Sequence, residues 1–154
     1  MNMASFTVYV AGPVLRPGAE LAPRVGWLFA ELEATAKAHG MQLVLPTYSE
    51  RLDRLAAHPF AQEIRDRIGK TDATIAVIAR PASAQDISGH SIAMEAHETA
   101  LAGKPIALLL EDADLPPPRL LAALDRVSIY AFGGPGTLDA LFENLAKDLN
   151  DMAR

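Results

Sequence analysis

The chain has 154 residues, half of them hydrophobic and 21% charged, enough to bury one core and too apolar for a disordered segment. Its net charge of −5 excludes non-specific binding to DNA, RNA or an anionic membrane, and leaves room for a small nucleotide ligand. It has no cysteine, which removes disulfides, thiolate catalysis and thiolate zinc sites.

No apolar run approaches the ~18–20 residues needed to span a bilayer. The opening Met1-Asn-Met-Ala-Ser-Phe6 lacks the charged and apolar regions of a signal peptide, so a cytoplasmic location is expected.

Residues 6–11 form a short β-rich run that stops at Gly12-Pro13, and Arg16-Pro-Gly18 continues as a loop. Leu21, Val25, Leu28, Phe29, Leu32 and Ala36 recur at helical spacing, which predicts an amphipathic helix over 19–38 with Gly40 as its stop. Residues 41–45 are the next strand, closed by Pro46, and 47–57 read as a loop or irregular turn of mixed charge. Phe60, Ile64 and Ile68 mark a second helix ending near Gly69. Residues 73–79 are a third strand, and 80–90, rich in Ala, Ser and Gly, are a loop.

A helix then starts near Ser88 or Ser91, good N-cap residues, and ends at Gly103, which suits the left-handed position after a helix. Strand 106–110, a short helix over 120–124, strand 127–130 and a last helix follow. The last helix carries Leu138, Leu141, Phe142, Leu145 and Leu149 on one face.

Alternating strands and helices, with strands apolar on both faces, predict an α/β fold. The expected architecture is a single-domain, flavodoxin-like, doubly wound sheet of five parallel strands in order 2-1-3-4-5, with helices on both faces. Ligands of such sheets sit beyond the carboxyl ends of the strands, at the switch between strands 1 and 3. That rule nominates the loop 12–18, the region after Leu45 and the loop 80–91.

Several residues near those loops carry chemistry. Glu95 falls in the first or second turn of its helix, where the positive end of the dipole favours an ionised carboxylate. It is a nucleophile, a base or simply a helix-stabilising charge. Tyr9 is a core aromatic or a hydroxyl that holds a carboxylate. Gly12 permits close approach of a ligand or makes a plain turn. Arg16 could meet a phosphate. Asp72 precedes strand 3 as a turn residue or a functional acid. His90 and His97 are seven apart, too far for an i,i+4 zinc pair, so neither metal nor cofactor is expected.

Three segments together resemble the nucleoside 2-deoxyribosyltransferase family and the related nucleoside monophosphate N-glycosidases. Val8-Tyr-Val-Ala-Gly-Pro13 is similar to the family's opening Tyr-Leu-Ala-Gly-Pro stretch. Ile68-Gly-Lys-Thr-Asp72 is similar to its entry to strand 3, and Ala93-Met-Glu95 through Gly103-Lys-Pro105 to its Glu-bearing helix.

The resemblance implies that the whole chain, 1–154, is one such domain. Glu95 would attack C1′ of the sugar, Tyr9 would orient it, and Asp72 would help handle the base. The sugar would then pass to a second base or to water. The ligand would be a small nucleoside or nucleotide, with no nucleic-acid polymer and no membrane partner. Gly12, Pro13, Arg16, Asp86, Ser88, Gly89 and Ser91 would bind it, and the chain would form a homo-oligomer.

The sequence departs from the family at Gly89, six residues before Glu95, where transferases carry Asp and the monophosphate hydrolases Ser. Asp86, Ser88 or Ser91 could serve instead. Ser88, Ser91 and Arg16 gathered at a helix N-terminus would receive a 5′-phosphate, favouring a nucleotide hydrolase. Ala96-His97 also replaces the family's usual Ile-Gly or Leu-Gly. A TIR-like NAD-cleaving enzyme and a non-catalytic nucleotide-sensing module are the alternative readings.

Overall fold

The computed structural model describes residues 5–13, 23–46, 50–80 and 88–153. Five strands build one parallel sheet: β1 (Thr7–Ala11), β2 (Gln42–Val44), β3 (Ala73–Ile78), β4 (Ile106–Leu110) and β5 (Val127–Ala131). Their order is β2-β1-β3-β4-β5, as the alternation of elements predicts. The switch point therefore falls between β1 and β3, where Tyr9 is in register with Thr74.

The helices are α1 (Pro23–Ala38), α2 (Glu50–Asp53), α3 (Ala57–Gly69), α4 (Ser88–Leu101), α5 (Arg119–Ala122) and α6 (Pro135–Met152). One helical turn, α2, stands inside the stretch 47–57 predicted to be a loop or irregular turn. Its Leu52 is buried, so one apolar anchor within a polar segment holds the turn. Elsewhere the predicted elements hold to within a few residues. The predicted start of the first helix, 19–22, lies outside the described residues.

The strand period of two sorts the core into two layers. Val8 and Val10 of β1, with Ile75 and Val77 of β3 and Leu109 of β4, meet α1 and α6 through Leu28, Leu32, Leu138, Leu141 and Phe142. Tyr9 and Ala11, with Ala76 and Leu108, face the other way, onto Ile68 of α3, Ile92 and Ala96 of α4 and Leu121 of α5. This alternation puts a phenol and a helix bearing a carboxylate on the same side of the sheet.

Gly103 ends α4 with φ of +72°, the left-handed conformation expected of it. The next residue locks α3 in place. Lys104 Nζ donates to the carbonyls of Ile68 at 2.9 Å, Gly69 at 3.3 Å and Thr71 at 2.6 Å. A cation there complements the dipole at the C-terminus of α3 and adds to the bonds that the Thr71 amide and hydroxyl already give the Ile68 carbonyl.

Candidate active site

The site begins with one hydrogen bond across the fold. Tyr9 Oη donates to Glu95 Oε1 at 3.0 Å, joining residues 86 apart in sequence. The phenol is only 6% exposed. Burial pushes the Glu95 carboxyl up to about 7, and the hydrogen bond from Tyr9 opposes that rise without cancelling it. Burial, followed by the neighbouring carboxylate, drives the Tyr9 hydroxyl far above its ordinary range, while Arg67 of α3 pulls the other way. Tyr9 is therefore a fixed donor, and Glu95 is the group that titrates near neutral pH.

This reverses the expectation drawn from the helix dipole. Glu95 is the eighth residue of α4, beyond the first turn where the dipole acts. Its long side chain leans into the apolar layer against β1, and desolvation decides its protonation. A carboxyl poised near 7 can serve as an acid below that pH and as a nucleophile or base above it.

Asp72 is not brought to this pair. It stands at the amino end of β3, opposite the carboxyl ends of the strands. Its Oδ2 accepts the Thr7 amide at 2.9 Å, and its own amide donates to the Thr7 carbonyl at 2.7 Å. The two bonds extend the β1–β3 pairing by one residue, which is a structural use of the carboxylate. Its place immediately before β3 fits the turn-residue reading of the sequence, and the role in handling the base came only from the family resemblance.

Gly12 follows β1 at the carboxyl edge, with Pro13 beside it. A Cβ on Gly12 would lie 3.0 Å from Phe29 Cζ and 3.3 Å from Val77 Cβ. The Phe29 and Val77 side chains thus leave little room for a side chain at this position. Arg16 and Asp86 lie outside the described residues, and Ser88, Gly89 and Ser91 are described only as backbone in the first turn of α4. Among the described residues, no group of three or more His, Asp or Glu is placed to hold a metal ion.

Residues without an assigned role in the sequence frame the site. Thr99 Oγ1, one turn beyond Glu95, donates to the Glu95 carbonyl at 3.0 Å and meets Thr74 Oγ1 at 2.7 Å. At the carboxyl end of β3, the Arg80 amide donates to Glu111 Oε2 at 2.7 Å. Its guanidinium reaches both carboxylate oxygens of Asp112, at 3.2 and 3.0 Å, and holds that carboxyl below its usual range. These bonds tie the exit of β3 to the end of β4, at the edge where ligands of such sheets bind. A threonine inside the apolar run 73–79, and another four residues after Glu95, were the available signals.

No family profile matches the sequence, and none of the curated proteins compared with it matches. Solved structures do match. In fold, the chain is similar to a 2-deoxyribosyltransferase. That protein, from Bacillus psychrosaccharolyticus, aligns at a TM-score of 0.57 and 14% identity, over 88% of this chain and 95% of its own. The CMP N-glycosidase of Clostridium botulinum aligns at 0.56 and 18%, over 90% and 99%. A flavoenzyme NAD(P)H:(acceptor) oxidoreductase from Paracoccus denitrificans aligns at 0.54 and 16%, over 95% and 98%. Two of the three are the kinds of protein that the sequence motifs resemble. The third carries a different chemistry on the same frame, so the likeness is one of fold.

Proposed function

We propose that the protein cleaves the N-glycosidic bond of a nucleoside or nucleoside monophosphate through a covalent glycosyl-enzyme on Glu95. The observation that carries this reading is the Tyr9–Glu95 hydrogen bond, partly buried beside the switch point of the sheet. A carboxylate oxygen of Glu95 bonds to C1′ as the C1′–N bond breaks. The bonding pair leaves with the base nitrogen, which takes up a proton from solvent. A second base or water then attacks C1′, the ester bond breaks, the carboxylate is restored and the acceptor gives up its proton.

The fixed Tyr9 donor orients the attacking carboxylate, and its preorganised dipole lies beside the charge that develops at C1′. No described residue other than these two is assigned to the chemistry, and Asp72 has no part in it. The whole chain acts as one domain of the 2-deoxyribosyltransferase and N-glycosidase kind. Met94, Leu101 and Leu120, all strongly exposed on α4 and α5, support association with further copies of the chain. Light scattering tests that association. No helix among the described residues is long and apolar enough to cross a membrane.

A chromatographic base-release assay tests the function. Wild type and Glu95→Ala are incubated with deoxynucleosides, deoxynucleoside monophosphates, ribonucleotides and NAD, with and without an acceptor base. Base exchange from free deoxynucleosides identifies a transferase, and release from monophosphates alone a hydrolase that reads phosphate. Release from NAD alone, or equal behaviour of wild type and Glu95→Ala on every substrate, overturns the proposal.

A further inference from the structure

Two hydroxyls are buried in the otherwise apolar layer between β3 and α4. Thr74 and Thr99 are both fully buried, and their Oγ1 atoms stand 2.7 Å apart. Thr99 Oγ1 gives its single proton to the Glu95 carbonyl at 3.0 Å. The Thr74 hydroxyl must then be the donor between the two threonines. The bonds run one way, from β3 to α4 to the backbone of the residue that carries the carboxylate.

The chain of contacts closes on itself. Thr74 is the cross-strand neighbour of Tyr9, and Tyr9 donates to Glu95. Helix α4 is thus pinned to the sheet at two heights one turn apart, by its carboxylate to β1 and by a hydroxyl to β3. Ile92 and Ala96 hold the same face only by apolar contact, which has no preferred direction and lets a helix slide or roll. Valine has the shape of threonine, and replacing both members of a buried hydrogen-bonded pair by apolar groups of the same shape is often nearly neutral for stability. Packing alone therefore does not call for these hydroxyls.

We propose that the Thr74–Thr99 pair is a positioning device that holds α4 at the height where the Glu95 carboxyl meets the Tyr9 hydroxyl. The proposal rests on the reading of Glu95 as the reacting group. Among the described residues, the charged groups around the pair include Lys104, whose amide donates to the Thr99 carbonyl at 3.2 Å and whose Nζ donates to the Thr71 carbonyl at 2.6 Å, Arg67 of α3, which acts on Tyr9, and Glu98, which is bound to Arg65 of α3 at 3.1 Å.

The test is an NMR titration of the Glu95 side-chain carboxyl in the full chain without substrate. It compares wild type, Thr74→Val/Thr99→Val, Thr99→Val alone and Thr99→Ser, with urea denaturation of each. The double variant is expected to keep a near-native urea midpoint while the Glu95 titration moves upward, because the Tyr9 bond that favours the anion is loosened. On the substrate that wild type cleaves, kcat falls about tenfold, equivalent to about 1.4 kcal/mol, with KM nearly unchanged. Thr99→Ser keeps both hydrogen bonds and restores the wild-type titration. A folded double or single valine variant whose Glu95 titrates as in wild type overturns the proposal. Because the titration needs no turnover, a wild type that releases no base refutes the enzymatic reading while leaving this test intact.

Discussion

Glu95→Gln should make the protein more stable at alkaline pH while abolishing its chemistry. Glutamine keeps the shape and still offers Tyr9 an oxygen acceptor, but it carries no charge. In wild type the carboxyl is buried and titrates near 7, against an ordinary value of 4.5. The folded state therefore holds a proton that the unfolded chain has released throughout that interval. Stability must fall as pH rises from about 4.5 to about 7 and then level off. At about 1.4 kcal/mol per pKa unit the full loss is roughly 3 kcal/mol.

The glutamine variant lacks this loss. The two proteins should match near pH 4 and diverge by up to about 3 kcal/mol at pH 8, the variant being the more stable, on linkage grounds. Urea denaturation at a series of pH values reads this directly, provided the slope with denaturant stays constant. Equal pH dependence of the two midpoints would refute the desolvation reasoning, as would a glutamine variant less stable than wild type at pH 8.

The same ionisation should shape turnover: kcat/KM is expected to rise through a midpoint of about 7, since the attacking form is the carboxylate. Tyr9→Phe removes a hydrogen bond to a charged acceptor, worth about 1.5–3 kcal/mol, so turnover should fall roughly 10- to 100-fold, and the midpoint should move upward. A limb that stays in place would exclude Tyr9 as the group that favours the anion. Asp72→Ala should leave turnover within about threefold of wild type and cost about 1 kcal/mol, because it removes only a strand-edge bond to the Thr7 amide. A large drop in kcat would return Asp72 to the chemistry. Lys104→Met should lower the melting temperature by about 3–6 °C, the equivalent of about 1–2 kcal/mol for a chain of this size. Calorimetry checks this, and an unchanged melting temperature would show that the three carbonyls are equally well served by water.

The sheet was legible because its signals are local. Apolar runs closed by Gly12-Pro13, Pro46 and Pro81, and a helix stopped at Gly103, determine elements without knowledge of their partners. Their alternation then leaves few topologies, and the order 2-1-3-4-5 follows. The pairing of Tyr9 with Glu95 came from motif resemblance, and geometry supports it with a bond across 86 residues.

What the sequence could not determine was environment. Glu95 reads as an ionised helix charge from its place near the start of α4, yet its carboxyl is raised to about 7 because the side chain enters the layer between helix and sheet. Asp72 reads from its place before strand 3 as a turn residue, and the structure gives its carboxylate the Thr7 amide as a partner. Gly12 reads equally as a ligand contact or a turn, and only the packed structure shows how little room Phe29 and Val77 leave for a side chain there. For Glu95 the deciding quantity was distance to residues remote in sequence. Burial and hydrogen bonding arise only when strands and helices are packed, so protonation and role belong to the tertiary structure alone.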